Sequence, residues 1–166
     1  MAIFKKKFDQ IELAKGVFEF IRQAKFHDLA ISVLPKGTQT QIIDKLFRAQ
    51  LYLVIISTIN FFPDKSTAIE GLILLIYQNL FNQDFSSYDE YRIFFDKDFQ
   101  EFEKMLHYGE KTGNGMLFGI SKWIFDDPKC NVEPFEQLKI VPHLFTVFDS
   151  INKTHEVNQK KFKIVD

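Results

Sequence analysis

Apolar residues recur at three- and four-residue steps through most of the chain, and the breaks between runs carry Pro, Gly or paired aspartates. That period is helical. Over residues 8–26, Ile11, Ala14, Val17, Phe18, Ile21 and Ala24 fall at this spacing with Glu and Lys between them, and Gly16 weakens the run. Residues 28–34 either continue that helix or form a separate turn before Pro35-Lys36-Gly37 breaks the chain. A second helix is expected from Thr38, where Thr38 and Gln41 have capping-box spacing. It runs through Ile42, Ile43, Leu46 and Phe47 into 51-LYLVIISTINFF-62 and ends before Pro63. Thr67 and Glu70 repeat the box ahead of a third helix that reaches Leu80. Apolar residues occupy nearly every side of these two segments, so both should be central helices covered by others.

Ser87 and Glu90 give a third box, followed by Tyr91, Phe94, Phe95, Phe99, Phe102, Met105 and Leu106 with Asp, Glu and Lys interleaved. This amphipathic pattern ends at Tyr108, with Gly109 at the position where a left-handed residue closes a helix. A new pattern starts at Met116 and includes Leu117, Ile120, Trp123 and Ile124, stopping at Asp126-Asp127-Pro128. The last helix spans roughly 133–152, with Phe135, Leu138, Val141, Phe145, Phe148 and Ile151 on one face and Pro142 kinking or restarting it. No run reads as a strand. The pattern predicts an all-α fold: a single-domain bundle of about six helices over residues 1–152, with two apolar central helices and a Phe-rich core. Residues 153–166 read as a polar, Lys-rich C-terminal tail.

The segment 107-HYGEKTGNG-115 is the most motif-like in the chain. A phosphate-binding P-loop needs G-x-x-x-x-G-K-[ST] between a strand and a helix. Here Lys111-Thr112 precedes Gly113, and a helix leads in. G-x-G-x-x-G fails as well, because Gly119 lies one residue too far from Gly115. The segment therefore reads as a helix–helix turn whose glycines supply positive φ, with Asn114 capping the next helix.

Composition narrows the function. The 166 residues include 20 Phe, 18 Lys and only 3 Arg, and the net charge is −1. Arginine is the residue suited to bidentate phosphate recognition, and a duplex-binding domain carries a positive excess, so no direct nucleic-acid contact is expected. The single Cys130 excludes an internal disulfide and a Cys-rich zinc site. Lys5, Lys6 and Lys7 are followed by polar residues rather than an apolar h-region, so a secretory leader is not expected. The longest apolar run has 12 residues and is too short to cross a bilayer. A cytoplasmic protein fits best, with no transmembrane segment.

No catalytic signature is present. Glu103 and His107 are four apart, but the Glu-x-x-His pairs of di-metal bundles do not occur, so no metal site is expected. His107 and His143 lie on two helices of a Phe-rich chain, which is weak support for a haem pocket. Cys130 has no histidine near it in sequence. No cofactor is assigned. Charge segregation is more informative. Residues 1–50 hold 9 Lys/Arg against 5 Asp/Glu, whereas 84–110 hold 8 Asp/Glu against 3 Lys/Arg. The acidic stretch is expected to be a docking surface for a basic protein partner, through Asp89, Asp96, Asp98, Glu101 and Glu103. Its competitor is neutralisation within the fold by the basic N-terminal helix. The leading expectation is a non-enzymatic interaction module: an inhibitor, immunity or accessory regulatory protein. The alternative is an apolar-ligand (lipid or haem) carrier or sensor with a Phe-lined pocket.

Overall fold

The structure, a computed structural model, describes residues 6–81, 88–128 and 130–165, and of these the side chains of 88–94 and 98 are left out. The elements run β1 Lys6–Phe8, α1 Gln10–Ala24, α2 Phe26–Val33, α3 Thr40–Phe61, α4 Ser66–Leu80, α5 Tyr88–Lys111, α6 Met116–Phe125, α7 Pro134–Leu138, α8 Ile140–Lys161 and β2 Phe162–Ile164. Six of the helices are ten residues or longer. The chain is an all-α bundle with a Phe-rich core.

The helix ends follow local chemistry that only partly matches the expected caps. A capping box forms at Asp9, which the sequence reading passed over. Its side chain accepts the Glu12 N–H at 2.7 Å, and the Glu12 carboxylate accepts the Asp9 N–H at 3.0 Å. The box expected at Thr38 does not form. The Thr38 hydroxyl donates instead to the Pro35 carbonyl, and α3 starts two residues later. The box expected at Thr67 is displaced by a tertiary cap: Gln10 of α1 accepts the Ala68 N–H through its side-chain oxygen. The third expected box involves Ser87, which lies outside the described residues. Between α1 and α2 the chain turns at Lys25, a left-handed residue with φ 49°, so residues 28–33 belong to a separate helix and Leu34 is its extended cap.

α3 is the hub. It packs against α2, α4, α5, α6 and α8, and its buried residues come from every side of the helix. α4 joins α3 and is covered by α1. Against α3, the aromatic residues of α5 form a ring cluster. Tyr52 lies 6.2, 5.6 and 5.1 Å from the rings of Phe95, Phe99 and Phe102, which also stack on one another. Such pairs contribute about 0.5–1.5 kcal/mol each beyond the apolar area they bury.

Three expectations about the later helices need correction. α5 continues past Tyr108 to Lys111, because Gly109 is not a terminator but a contact point. A Cβ there would overlap the Gly115 carbonyl oxygen, and one on Gly119 would overlap the Met105 carbonyl oxygen. The two glycines let α5 and α6 touch backbone to backbone. Second, the expected 133–152 helix breaks at Lys139, so Pro142 sits in the first turn of α8, where its missing N–H has no helical partner to lose. That restart resets the buried face to Ile140, Leu144, Val147, Ile151 and His155, leaving Phe135 72% and Phe145 60% exposed.

Third, residues 153–161 are no tail. They complete α8, and β2 then pairs in parallel with β1 in the register Lys6↔Phe162, Lys7↔Lys163 and Phe8↔Ile164. The Phe8 and Phe162 rings lie 4.5 Å apart, and the Val165 N–H donates to the Phe8 carbonyl at 2.8 Å. Polar composition hid the helix because its one deeply buried residue beyond 153 is a histidine. The strand pair escaped notice because three residues are too few to display alternation.

Candidate docking surface on the fifth helix

Helical spacing fixes what α5 can present. Phe95, Phe99, Phe102 and Leu106 recur at steps of three and four and are all buried against the core. Residues off that stripe face outward. Asp96, Glu101, Glu103 and Glu110 are exposed. The side chains of Asp89 and Asp98 lie outside the described residues.

The exposed carboxylates fall into two settings. Asp96, Glu103 and Glu110 are seven residues apart in turn, so they stand above one another along one side of α5. Glu101 points round the helix into a different environment. It lines an open cleft of about 520 Å³ together with Lys45, Arg48, Lys104, Trp123 and Asp126. Lys45 anchors that cleft. Its ammonium donates to the carbonyls of Trp123 and Asp126, both at 3.2 Å, which caps the end of α6, and it lies 5.7 Å from the Trp123 ring centre. The sequence grouped Glu101 with Asp96 and Glu103; the fold gives it cationic company instead.

The competing account, neutralisation by the basic N-terminal helix, does not match the packing. α1 lies on α4, whereas α5 lies chiefly on α6. Arg22 of α1 pairs within its own helix, with Glu19 at 2.8 Å.

The histidines separate in the same way. His107 is exposed and pairs with Glu110 of its own helix at 3.3 Å. His143 meets the Gln50 amide at 2.7 Å, and burial lowers its pKa. His155 is fully buried between the Phe61 and Phe62 rings, and burial lowers its pKa to about 4. The hydrogen-bond pattern assigns its tautomer. Nε2 is 3.1 Å from the Thr58 hydroxyl, which itself donates to the Val54 carbonyl at 2.8 Å. Nε2 therefore carries the proton and donates to Thr58, and the buried Nδ1 is left as a bare acceptor. Together with Ser57, which donates to Asn152 at 2.5 Å, these pairs form a polar seam between α3 and α8.

No group of three or more His, Cys, Asp or Glu that could hold a metal ion occurs among the described residues. Among the same residues, no helix is long and apolar enough to cross a membrane. Cys130 is half-buried, with the Gln137 amide 4.0 Å from its sulfur. Of the 107–115 segment, residues 107–111 belong to α5 and only 112–115 form the turn, with positive φ at Gly113 and Gly115. Asn114 does not cap α6: its amide donates to Thr112, and Gly115 holds the cap position.

Sequence reasoning missed the seam because isolated polar residues in apolar runs leave no periodic trace. The only available hint was the presence of Gln50, Ser57 and Thr58 within an otherwise apolar helix. Comparison with known proteins gives no match to a family model, a curated protein or a solved structure.

Proposed function

We propose that the protein is a non-enzymatic interaction module, of the inhibitor, immunity or accessory regulatory kind, that docks a basic protein partner through α5. One observation supports the reading. The apolar side of α5 is committed to the core, while Asp96, Glu103 and Glu110 form an exposed acidic line that α1 does not cover. A line of carboxylates steers a cationic partner in quickly, with an on-rate that falls as salt screens the attraction. A nuclease or other nucleic-acid-binding protein has a surface of the required sign. The cytoplasm is the compartment that suits a chain with one cysteine. The apolar-ligand alternative gains nothing from the Phe content, since those rings pack on one another.

The test is charge reversal. The triple variant Asp96→Lys, Glu103→Lys, Glu110→Lys should keep its stability within about 0.5 kcal/mol, as exposed substitutions do. It should lose the partner that the wild-type chain retains from host extract at low salt and releases at high salt. Retention of the same partner by the variant, or a clear loss of stability, would show that this face serves the fold and not a partner.

A further inference from the structure

The acidic line does not stand on a flat face. Glu103, His107 and Glu110 form one wall of a groove of about 310 Å³, with His107 paired to Glu110 and Asn60 also at the rim. Its floor is apolar and comes from three other elements as well as α5: Ile56 and Ile59 of α3, Leu106 of α5, Met116 at the start of α6, and Phe148 of α8. All but Leu106 are only partly buried, so the fold leaves apolar surface in water beside two carboxylates. The volume is at the low end for a small-molecule site. An apolar floor with a charged rim is instead the anatomy of a protein-recognition surface.

We infer that this groove seats a basic amphipathic helix of the partner. The inference rests on the docking role proposed for α5 and adds which surface is used and what the partner presents to it. Charge complementarity selects the occupant. Apolar side chains at i, i+3 or i+4, and i+7 would cover the floor, and Lys or Arg on the adjoining flank would meet Glu103 and Glu110. The dimensions agree: the wall from Glu103 to Glu110 covers about 10.5 Å, the same span as positions i to i+7 of a docked helix. The floor supplies most of the affinity, and the wall supplies the on-rate and the choice of a basic over an acidic helix.

Two synthetic peptides of about 14 residues test this. One carries leucines on a single helical face flanked by lysines, and the other has the same composition with the leucines scattered round the helix. Binding of each is measured by fluorescence anisotropy at low and raised salt. The wild-type chain should bind the patterned peptide roughly tenfold more tightly than the scattered one. The wall variant Glu103→Gln/Glu110→Gln should bind it roughly tenfold more weakly and with a flatter salt dependence. The floor variant Ile59→Gln/Met116→Gln should lose a similar factor while keeping the salt dependence. Met116→Gln alone, at the partly buried first residue of α6, serves if the double variant melts early.

Equal binding of the two peptides, with no loss in the floor variant, would overturn the groove and leave α5 as a purely electrostatic docking face. A wall variant that binds like wild type would remove the carboxylates from the site and overturn the inference too. If neither peptide binds at low salt, the groove and the docking role of α5 fall together.

Discussion

The pairing of α5 with α6 and the pairing of α3 with α8 solve the same packing problem by opposite means. α5 and α6 are neighbours in sequence, joined by the short turn at 112–115, and they approach so closely that only glycine fits at 109 and 119. α3 and α8 are joined by side chains 93 to 97 residues apart, through Gln50 with His143, Ser57 with Asn152 and Thr58 with His155. The partners advance together along both helices, so the pair is parallel. Shape secures the first contact. In the second, directional hydrogen bonds in a buried setting hold one particular register, since sliding either helix would leave several polar groups without partners.

The largest expected effect is on the glycine contact. Gly119→Ala places a methyl group where the Met105 carbonyl already stands, so α6 must move away from α5. A loss of about 3 kcal/mol in urea unfolding is expected, at the upper end for overpacking. A loss below about 1 kcal/mol would mean that the two backbones can part cheaply, and that shape does not secure this pair.

Acid should strike the other pair. The pKa of His155 is lowered from 6.5 to about 4, so the ring stays neutral in the fold at pH values where the unfolded chain already binds a proton. The associated stability is fully present above about pH 6.5 and is lost as pH falls towards 4. The shift sets an upper limit of about 3 kcal/mol, and the lowered pKa of His143 acts in the same direction. Thermal melts across this range should show the decline, and His155→Leu, with no titrating group at that place, should flatten it. An unchanged slope in that variant would place the acid sensitivity elsewhere.

The smallest effect sharpens the contrast. Ser57→Ala removes the donor to Asn152 and should cost about 1 kcal/mol. In a double-mutant cycle with Asn152→Ala, a coupling of about 0.5–1.5 kcal/mol would show that the seam acts through its pairs. Additive losses would reduce it to packing.

The same contrast explains what could be read from the chain. The apolar stripe of α5 and the near-uniform apolarity of 51–62 gave both helices their places, because burial repeats with the helical period. Gly109 was visible but misread, since a glycine at the end of a periodic run looks the same whether it stops a helix or admits another one. Parallel alignment of α3 with α8 was hidden, because nothing local ties Ser57 to a residue 95 positions away. The candidate surface was legible in its carboxylates and not in its groove, whose floor is gathered from four helices. Glu101 shows the limit of charge counting: proximity in sequence grouped it with Glu103, but 100° of rotation per residue separates their surroundings.

The short parallel pair of β1 with β2 has a consequence for anything fused to the domain. Lys6 and Ile164 lie on adjacent strands, within the length of one three-residue strand of each other. Because the pair is parallel, a linker entering Lys6 and a linker leaving Ile164 start close together but at opposite ends of the short ladder, so two passengers would be directed away from each other. The latch spans nearly the whole chain, yet its entropy rises only with the logarithm of the loop, by about 0.6 kcal/mol per doubling of length. A few backbone hydrogen bonds and the Phe8–Phe162 ring contact are therefore on the right scale to hold it shut, and a modest pull on either passenger is on the right scale to open it.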